Sequence, residues 1–411
     1  MAERKKPVIL SSSDGIPRAI HDEKSVALAV DLPADLAHYT QNARRWREHC
    51  DVTVLRDGAQ TFPAMLAAIA AARVSICLEV YILVPDAMGD RFKAALIERA
   101  KAGVTVRVMY DAVGSLTLAD GWLDDLRAAG GEVLVFNSIR PWRRRYNLSL
   151  RDHRKILVVD DAIAFTGGLN IGLDYASTTV GGAGWHDMHC MVRGGIVLDL
   201  ARLFRRTWMN AGGSLYPSPP RAEAAPATAS TAIVRMIENT GRRRGAIRRA
   251  YIHVIKAART QVLLQNAYFL PERVLRRALA RAVKRGVDVR VIVPAHSDVT
   301  LVEWAMLYAM RRLAQRGVTI MRWRGPMMHA KTAVVDGVWS TIGSYNFDAQ
   351  SRFNNLEVTV EILDRTVGAQ LVAEFSDDLA NCDPYDEAAW LRLPWWRKAF
   401  AWLGYRLRRF L

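Results

Sequence analysis

One short pattern occurs twice in this chain, and it limits the folds available more than anything else. The first copy is His153-Arg-Lys155-Ile-Leu-Val-Val-Asp160, followed by Gly167-Gly168-Leu-Asn170. The second is His329-Ala-Lys331-Thr-Ala-Val-Val-Asp336, followed by Gly343-Ser344-Tyr-Asn346. In each copy His and Lys stand two apart, so on a strand they share a face. The apolar residues that follow read as a buried strand, with the Asp at its end.

The flanking sequence repeats as well. Helix-like segments at 62–72 and 247–258 precede apolar strands at 75–83 and 261–269. Next come helices rich in Ala, Arg and Lys, which run into Ala-Gly103-Val-Thr-Val-Arg-Val and Arg-Gly286-Val-Asp-Val-Arg-Val. Glycine there suits a left-handed helix C-cap, and the β-branched alternation after it predicts a strand. Short strands at 132–136 and 318–322 complete each unit ahead of the motif strand. Strands alternating with helices predict an α/β fold. The expected division is an N-terminal extension (1–50), a first domain (51–213), a Pro/Ala-rich linker (214–231), a second domain (232–385) and a C-terminal tail (386–411).

The residue types suit phosphodiester chemistry. A neutral imidazole can attack phosphorus and form a covalent intermediate, and a second, protonated one can hand a proton to the leaving alkoxide. Lys155, Lys331, Asn170 and Asn346 can stabilise charge on the non-bridging oxygens. One motif supplies half of this set and two supply all of it. A lone His-x-Lys is more often a packing or solvated pair. Two full motifs at matching places in two repeats are a specific signal.

These motifs are those of the phospholipase D superfamily, and the chain resembles it from about residue 50 to 380. Within it, the resemblance is to bacterial cardiolipin synthases. It is carried by Glu79-Val-Tyr81, Asp111-x-x-Gly114-Ser115, Arg151-Asp-His153-Arg-Lys155 and Trp185-His186-Asp187 in the first half. In the second half it is carried by Tyr268-Phe-x-Pro271, Pro294-x-x-Ser297-Asp298 and Ser351-Arg352-x-Asn354-Asn355-x-Glu357. The resemblance implies two phospholipase D-like halves related by pseudo-twofold symmetry, with the active site at their interface. It implies a two-step phosphohistidine mechanism that needs no metal or cofactor. It makes His153 the expected nucleophile and His329 the general acid and later base, an order the sequence alone leaves open. It also implies a carboxylate for each imidazole, Glu357 for the His329 motif and Asp187 for the His153 motif. Ser344 is expected to bind or orient within the site, and Asp160 and Asp336 to hold the motif strands.

The formal net charge is +16, which calls for an anionic partner: membrane, phosphorylated substrate or nucleic acid. The resemblance favours anionic phospholipid, phosphatidylglycerol first, over nucleic acid. Cys50, Cys77, Cys190 and Cys382 are scattered, without metal-site spacing. No apolar run reaches the roughly 18 residues that span a bilayer. The expectation is a peripheral protein on the cytoplasmic face of the bacterial inner membrane. The tail supplies a contact: as a helix, 394–411 gathers Trp396, Ala399, Phe400, Leu403, Leu407, Phe410 and Leu411 on one side and Arg397, Lys398, Arg408 and Arg409 on the other. Packing of that helix on the protein's own core is the competing reading. Basic clusters at 140–146 and 242–249 are further candidate phosphate contacts, and the apolar face of 299–312 is a candidate acyl groove, with core packing the favoured alternative.

Overall fold

The computed structural model describes residues 32, 34–40, 45–138, 150–217, 229–240 and 245–408. The whole cluster at 140–146, Arg242–Arg244, part of the linker, and Arg409, Phe410 and Leu411 lie outside them. The strands are β1 (Arg47–Arg56), β2 (Ser75–Val80), β3 (Thr105–Asp111), β4 (Glu132–Phe136), β5 (Arg151–Asp152), β6 (Ile156–Val159), β7 (Ile163–Gly167), β8 (Met188–Arg193), β9 (Ala232–Asn239), β10 (Gln261–Asn266), β11 (Asp288–Pro294), β12 (Thr319–Trp323), β13 (Lys331–Val335), β14 (Trp339–Gly343), β15 (Asn355–Leu363) and β16 (Cys382–Pro384). The helices are α1 (Ala34–Ala37), α2 (Asp57–Ala71), α3 (Ala87–Lys101), α4 (Asp124–Ala128), α5 (Gly195–Asn210), α6 (Ala246–Ala257), α7 (Arg273–Lys284), α8 (Thr300–Ala314), α9 (Ala349–Phe353), α10 (Arg365–Leu379), α11 (Glu387–Arg392) and α12 (Trp395–Leu407).

The repeat in sequence is a repeat in space. The first half orders its strands β1-β8-β7-β6-β2-β3-β4, and the second orders the equivalent ones β9-β15-β14-β13-β10-β11-β12, with β16 added at the far edge. The halves join where β1 pairs antiparallel with β9, Arg47 opposite Val234 and Cys50 opposite Ala232. β2 and β3 pair in parallel, as do β10 and β11, while the motif strands β6 and β13 pair antiparallel to β2 and β10. Gly103 and Gly286, both at φ 86°, end α3 and α7 where the sequence predicts.

Three apolar layers result. Ile69, Phe92, Leu96 and Val108 pack beneath the helices of the first half, and Ile247, Leu275, Leu279 and Val291 beneath those of the second. The third layer lies between the halves, where α5 and α10 bring Phe204, Trp208, Leu371 and Phe375 against Val158, Val192, Val334 and Val360. The motif strands contribute to this shared layer, which places both motifs at the junction.

The ends of the chain are more integrated than the expected boundaries suggest. β1 begins at Arg47, inside the anticipated extension. Upstream of it, Tyr39 packs into the core of the second half and donates a 2.9 Å hydrogen bond to Asp336. All four cysteines are buried free thiols. Among the described residues no helix is long and apolar enough to cross a membrane.

Candidate active site

Asp160 and Asp336 end their motif strands in left-handed conformation, both at φ 54°. The Asp160 carboxylate accepts the backbone N–H groups of Arg73, Val74 and Ser75, each at 2.8 Å. That of Asp336 accepts those of Arg259, Thr260 and Gln261 at 2.8–3.0 Å. Each therefore ties the end of the motif strand to the start of its antiparallel neighbour, β2 or β10. The three backbone donors hold Asp336 below the usual carboxylate range against the opposing effect of burial.

The two histidines are set by the opposite halves. The His153 backbone N–H donates to Leu356 O at 3.0 Å, and β5 pairs with the start of β15. The His329 N–H donates to His186 O at 2.6 Å. The side chains follow the same rule. His153 Nδ1 lies 3.1 Å from both oxygens of Glu357, and His329 Nδ1 lies 2.7 Å from Asp187 Oδ2. This corrects the expected pairing, in which each acid served the histidine of its own half. The swap follows from the twofold junction, since Asp187, just before β8, and Glu357, in β15, each lie against the motif of the other half.

Register makes the two acid sites equivalent: Gly167 lies opposite His189, and Gly343 opposite Thr359, so Asp187 corresponds to Glu357 and Gly168 to Ser344. The acids differ in length, and the neighbours compensate. A Cβ at Gly168 would stand 2.1 Å from Asp187 Oδ1, so glycine makes room for that carboxylate. Ser344 instead donates its hydroxyl to Glu357, which also accepts from Asn355 Nδ2 at 3.3 Å.

Lys155 and Lys331 are buried, and each ammonium donates to the carbonyl of the histidine two residues before it. Burial, with the other lysine's charge against it, brings Lys155 down to about 7; burial likewise brings Lys331 to about 8. His329 is held well below its ordinary value by burial and then by Lys331, Lys155 and His153. Both lysines and His153 thus lie within electrostatic reach of His329, and these four buried groups define the chamber. His153 is lowered by burial, with Glu357 opposing.

Asn170 holds structure beside the chamber. Its Oδ1 accepts the Ile82 N–H at 3.1 Å, and its Nδ2 donates to the Tyr175 hydroxyl at 2.7 Å. Asn346 has a buried Oδ1 without a partner. Aromatic rings wall the chamber: Tyr81 stands edge-on to His153 at 5.0 Å, and Tyr175, Trp185 and Tyr268 surround His329 at 5.5, 6.1 and 6.4 Å. The residue pattern does not single out Tyr175. It lies in a short 3-10 turn of the first half and meets a histidine of the second, a contact that exists only across the junction.

A family described as "Cardiolipin synthase, PLD-like domain" matches residues 65–180 and 251–379, one stretch in each half. The chain belongs to this phospholipase D-like family of cardiolipin synthases. Among curated relatives, the major cardiolipin synthase of Bacillus subtilis is 32% identical over 353 residues, covering 85% of this chain and 73% of that one. Cardiolipin synthase B of Salmonella typhi is 31% identical over 382 residues and 89% of each chain. Among solved structures, the phosphatidylserine synthase of Haemophilus influenzae superposes with a TM-score of 0.68 at 14% identity, covering 88% of this chain and 95% of that one. That likeness extends to the fold.

Proposed function

We propose that this family member transfers a phosphatidyl group from one phosphatidylglycerol to the headgroup hydroxyl of a second phospholipid, making cardiolipin and releasing glycerol. One observation carries the reading: each imidazole has its Nδ1 engaged by a carboxylate, at 3.1 Å and 2.7 Å, which leaves both Nε2 atoms for chemistry in a chamber with two lysines.

In the first step His153 Nε2 attacks phosphorus. The bond from phosphorus to the glycerol oxygen breaks, and glycerol leaves with the proton from His329 Nε2. Glu357 stabilises the cationic phosphohistidine through Nδ1–H. In the second step neutral His329 takes the proton of the incoming hydroxyl, whose oxygen attacks phosphorus and releases His153. Lys155 and Lys331 face the non-bridging oxygens, with Asn170 and Asn346 beside them. The lysines oppose a charged His329. An anionic phosphodiester between them offsets that repulsion, so protonation of His329 accompanies substrate binding.

The substrate is a bilayer lipid, so the protein works as a peripheral protein, on the cytoplasmic face of the bacterial inner membrane. Incubation with phosphatidylglycerol vesicles, followed by mass spectrometry, should yield equal amounts of cardiolipin and glycerol. Phosphatidic acid alone would mean that water is the acceptor, and cleavage of DNA without any lipid product would reject the proposal.

A further inference from the structure

The C-terminal helix has two faces, and only one of them is used. Ala401, Gly404 and Tyr405 are buried against α8. The crossing is close: a Cβ at Gly404 would stand 3.2 Å from Ala305 N, and Ala305 is itself fully buried. The other face carries Trp396, Phe400, Leu403 and Leu407, each between 39% and 56% exposed. Trp396 packs edge-on to Phe400 (6.2 Å) and Phe400 leans on Trp304 of α8 (6.3 Å), so the aromatic rings form one patch across both helices. The described part of the arc predicted to be apolar is thus turned outward, while Ala401, Gly404 and Tyr405 make the contact with the body of the protein.

The patch leads to the mouth of the chamber. Tyr268, beside His329, donates its hydroxyl to exposed Asp298 at 2.7 Å. Val299 follows, and α8 starts at Thr300, with Val299 and Leu301 both exposed. One helical turn separates Leu301 from Trp304, a rise of about 5 Å. Exposed apolar residues therefore run from the chamber's rim along α8 onto α12.

The charge around the patch selects the occupant. From Pro394 to Leu411 there is no Asp or Glu, Arg397, Lys398 and Arg406 lie on α12, and Arg408 caps its end. At about 100° per residue, Arg397 and Arg406 stand roughly a quarter turn to either side of the apolar face, where they can reach headgroups around it once inserted, whereas Lys398 donates to Leu391 O at 2.7 Å on the protein side. A second copy docked face to face would oppose arginine to arginine.

We propose that the outer face of α12, with Val299 and Leu301 of α8, inserts into an anionic bilayer and sets the mouth of the chamber against the lipid headgroups. This deepens, and rests on, the reading that the substrate is drawn from a bilayer.

The test uses the full chain and the variant Trp396→Ser/Phe400→Ser/Leu403→Ser, with circular dichroism confirming that both are folded. Cosedimentation with phosphatidylglycerol/phosphatidylethanolamine vesicles should weaken by about tenfold or more in the variant, and wild-type binding to phosphatidylcholine vesicles should be weak. Turnover of a dispersed short-chain phosphatidylglycerol should be unchanged while turnover of vesicles falls. Undiminished vesicle binding by the variant overturns the proposal. So does light scattering that shows a wild-type dimer and a monomeric variant with equal vesicle affinity. If neither protein turns over the short-chain lipid, the phosphatidyltransferase reading fails, and sedimentation still decides the surface.

Discussion

Glu357 belongs to the second half, yet both of its carboxylate oxygens stand 3.1 Å from Nδ1 of His153 in the first. Neither half can then assemble its own histidine correctly alone. Glu357→Gln keeps the shape and removes the charge that stabilises a cationic phosphohistidine. It should lower turnover roughly 10²–10⁴-fold with little change in thermal stability. Rapid-quench trapping of an acid-labile phosphoenzyme from labelled lipid should show its formation slowed. An unchanged rate of phosphoenzyme formation would remove Glu357 from the first step.

Gly168 and Ser344 occupy equivalent positions and are not interchangeable. A Cβ at Gly168 meets Asp187 Oδ1 at 2.1 Å and would push that carboxylate off His329. Gly168→Ala should therefore reduce turnover by about tenfold or more, since small displacements of catalytic groups cost heavily. Ser344→Gly removes one of several groups that hold Glu357 and should be milder. Comparing the two rates checks this, and a harmless Gly168→Ala would show that Asp187 is not needed where it stands.

The buried lysines make anion binding depend on pH. Lys155 is lowered to about 7 and Lys331 to about 8 by burial, so above these values the chamber loses positive charge. Sulfate, whose own charge is constant over this range, should bind more tightly as pH falls from 9 to 6, with protons taken up. Calorimetry in two buffers of different ionisation enthalpy measures that uptake. Lys155→Met and Lys331→Met should each flatten the dependence.

The repeat, the α/β class and the two His-x-Lys motifs were legible in the sequence because they are periodic or fall at fixed spacings, whereas Tyr175 was not. Gly103 and Gly286 mark helix ends by a purely local rule. The partners of the histidines were not legible. Sequence proximity assigned Glu357 to His329, whereas Asp187 and Glu357, at the starts of β8 and β15, each meet the histidine of the other half. The role of Tyr39 on Asp336 was hidden for the same reason, since it links the N-terminal segment to the second half. The outward turn of Phe400 and Trp396 depended on Gly404 and Ala305 permitting a close helix crossing, which helical periodicity alone does not reveal.

His186, next to the acid that serves His329, should make the protein's stability depend on alkaline pH. Its Nδ1 lies 2.7 Å from Asp57 Oδ1 and its Nε2 2.9 Å from Asp378 Oδ2, and its ring stacks on Trp323 at 4.8 Å. With a carboxylate at each nitrogen, both must carry protons, so the ring is an imidazolium joining the first half to α10 of the second. Burial opposes the charge, but the bonds to Asp378 and Asp57 outweigh it and raise the group to about 9. A folded value above the unfolded one means that the stabilisation is complete below pH 6.5 and is lost as pH rises through 9. The shift corresponds to something on the order of 3 kcal/mol. Melting temperatures of the wild type should fall between pH 7 and 10. His186→Asn should be less stable at pH 7 and flatter across that window. Parallel curves for the two proteins would show that His186 is neutral in the folded state. The His186 side chain also anchors the segment whose backbone carbonyl accepts the N–H of His329, so loosening that anchor should lower turnover even at temperatures where the variant remains folded.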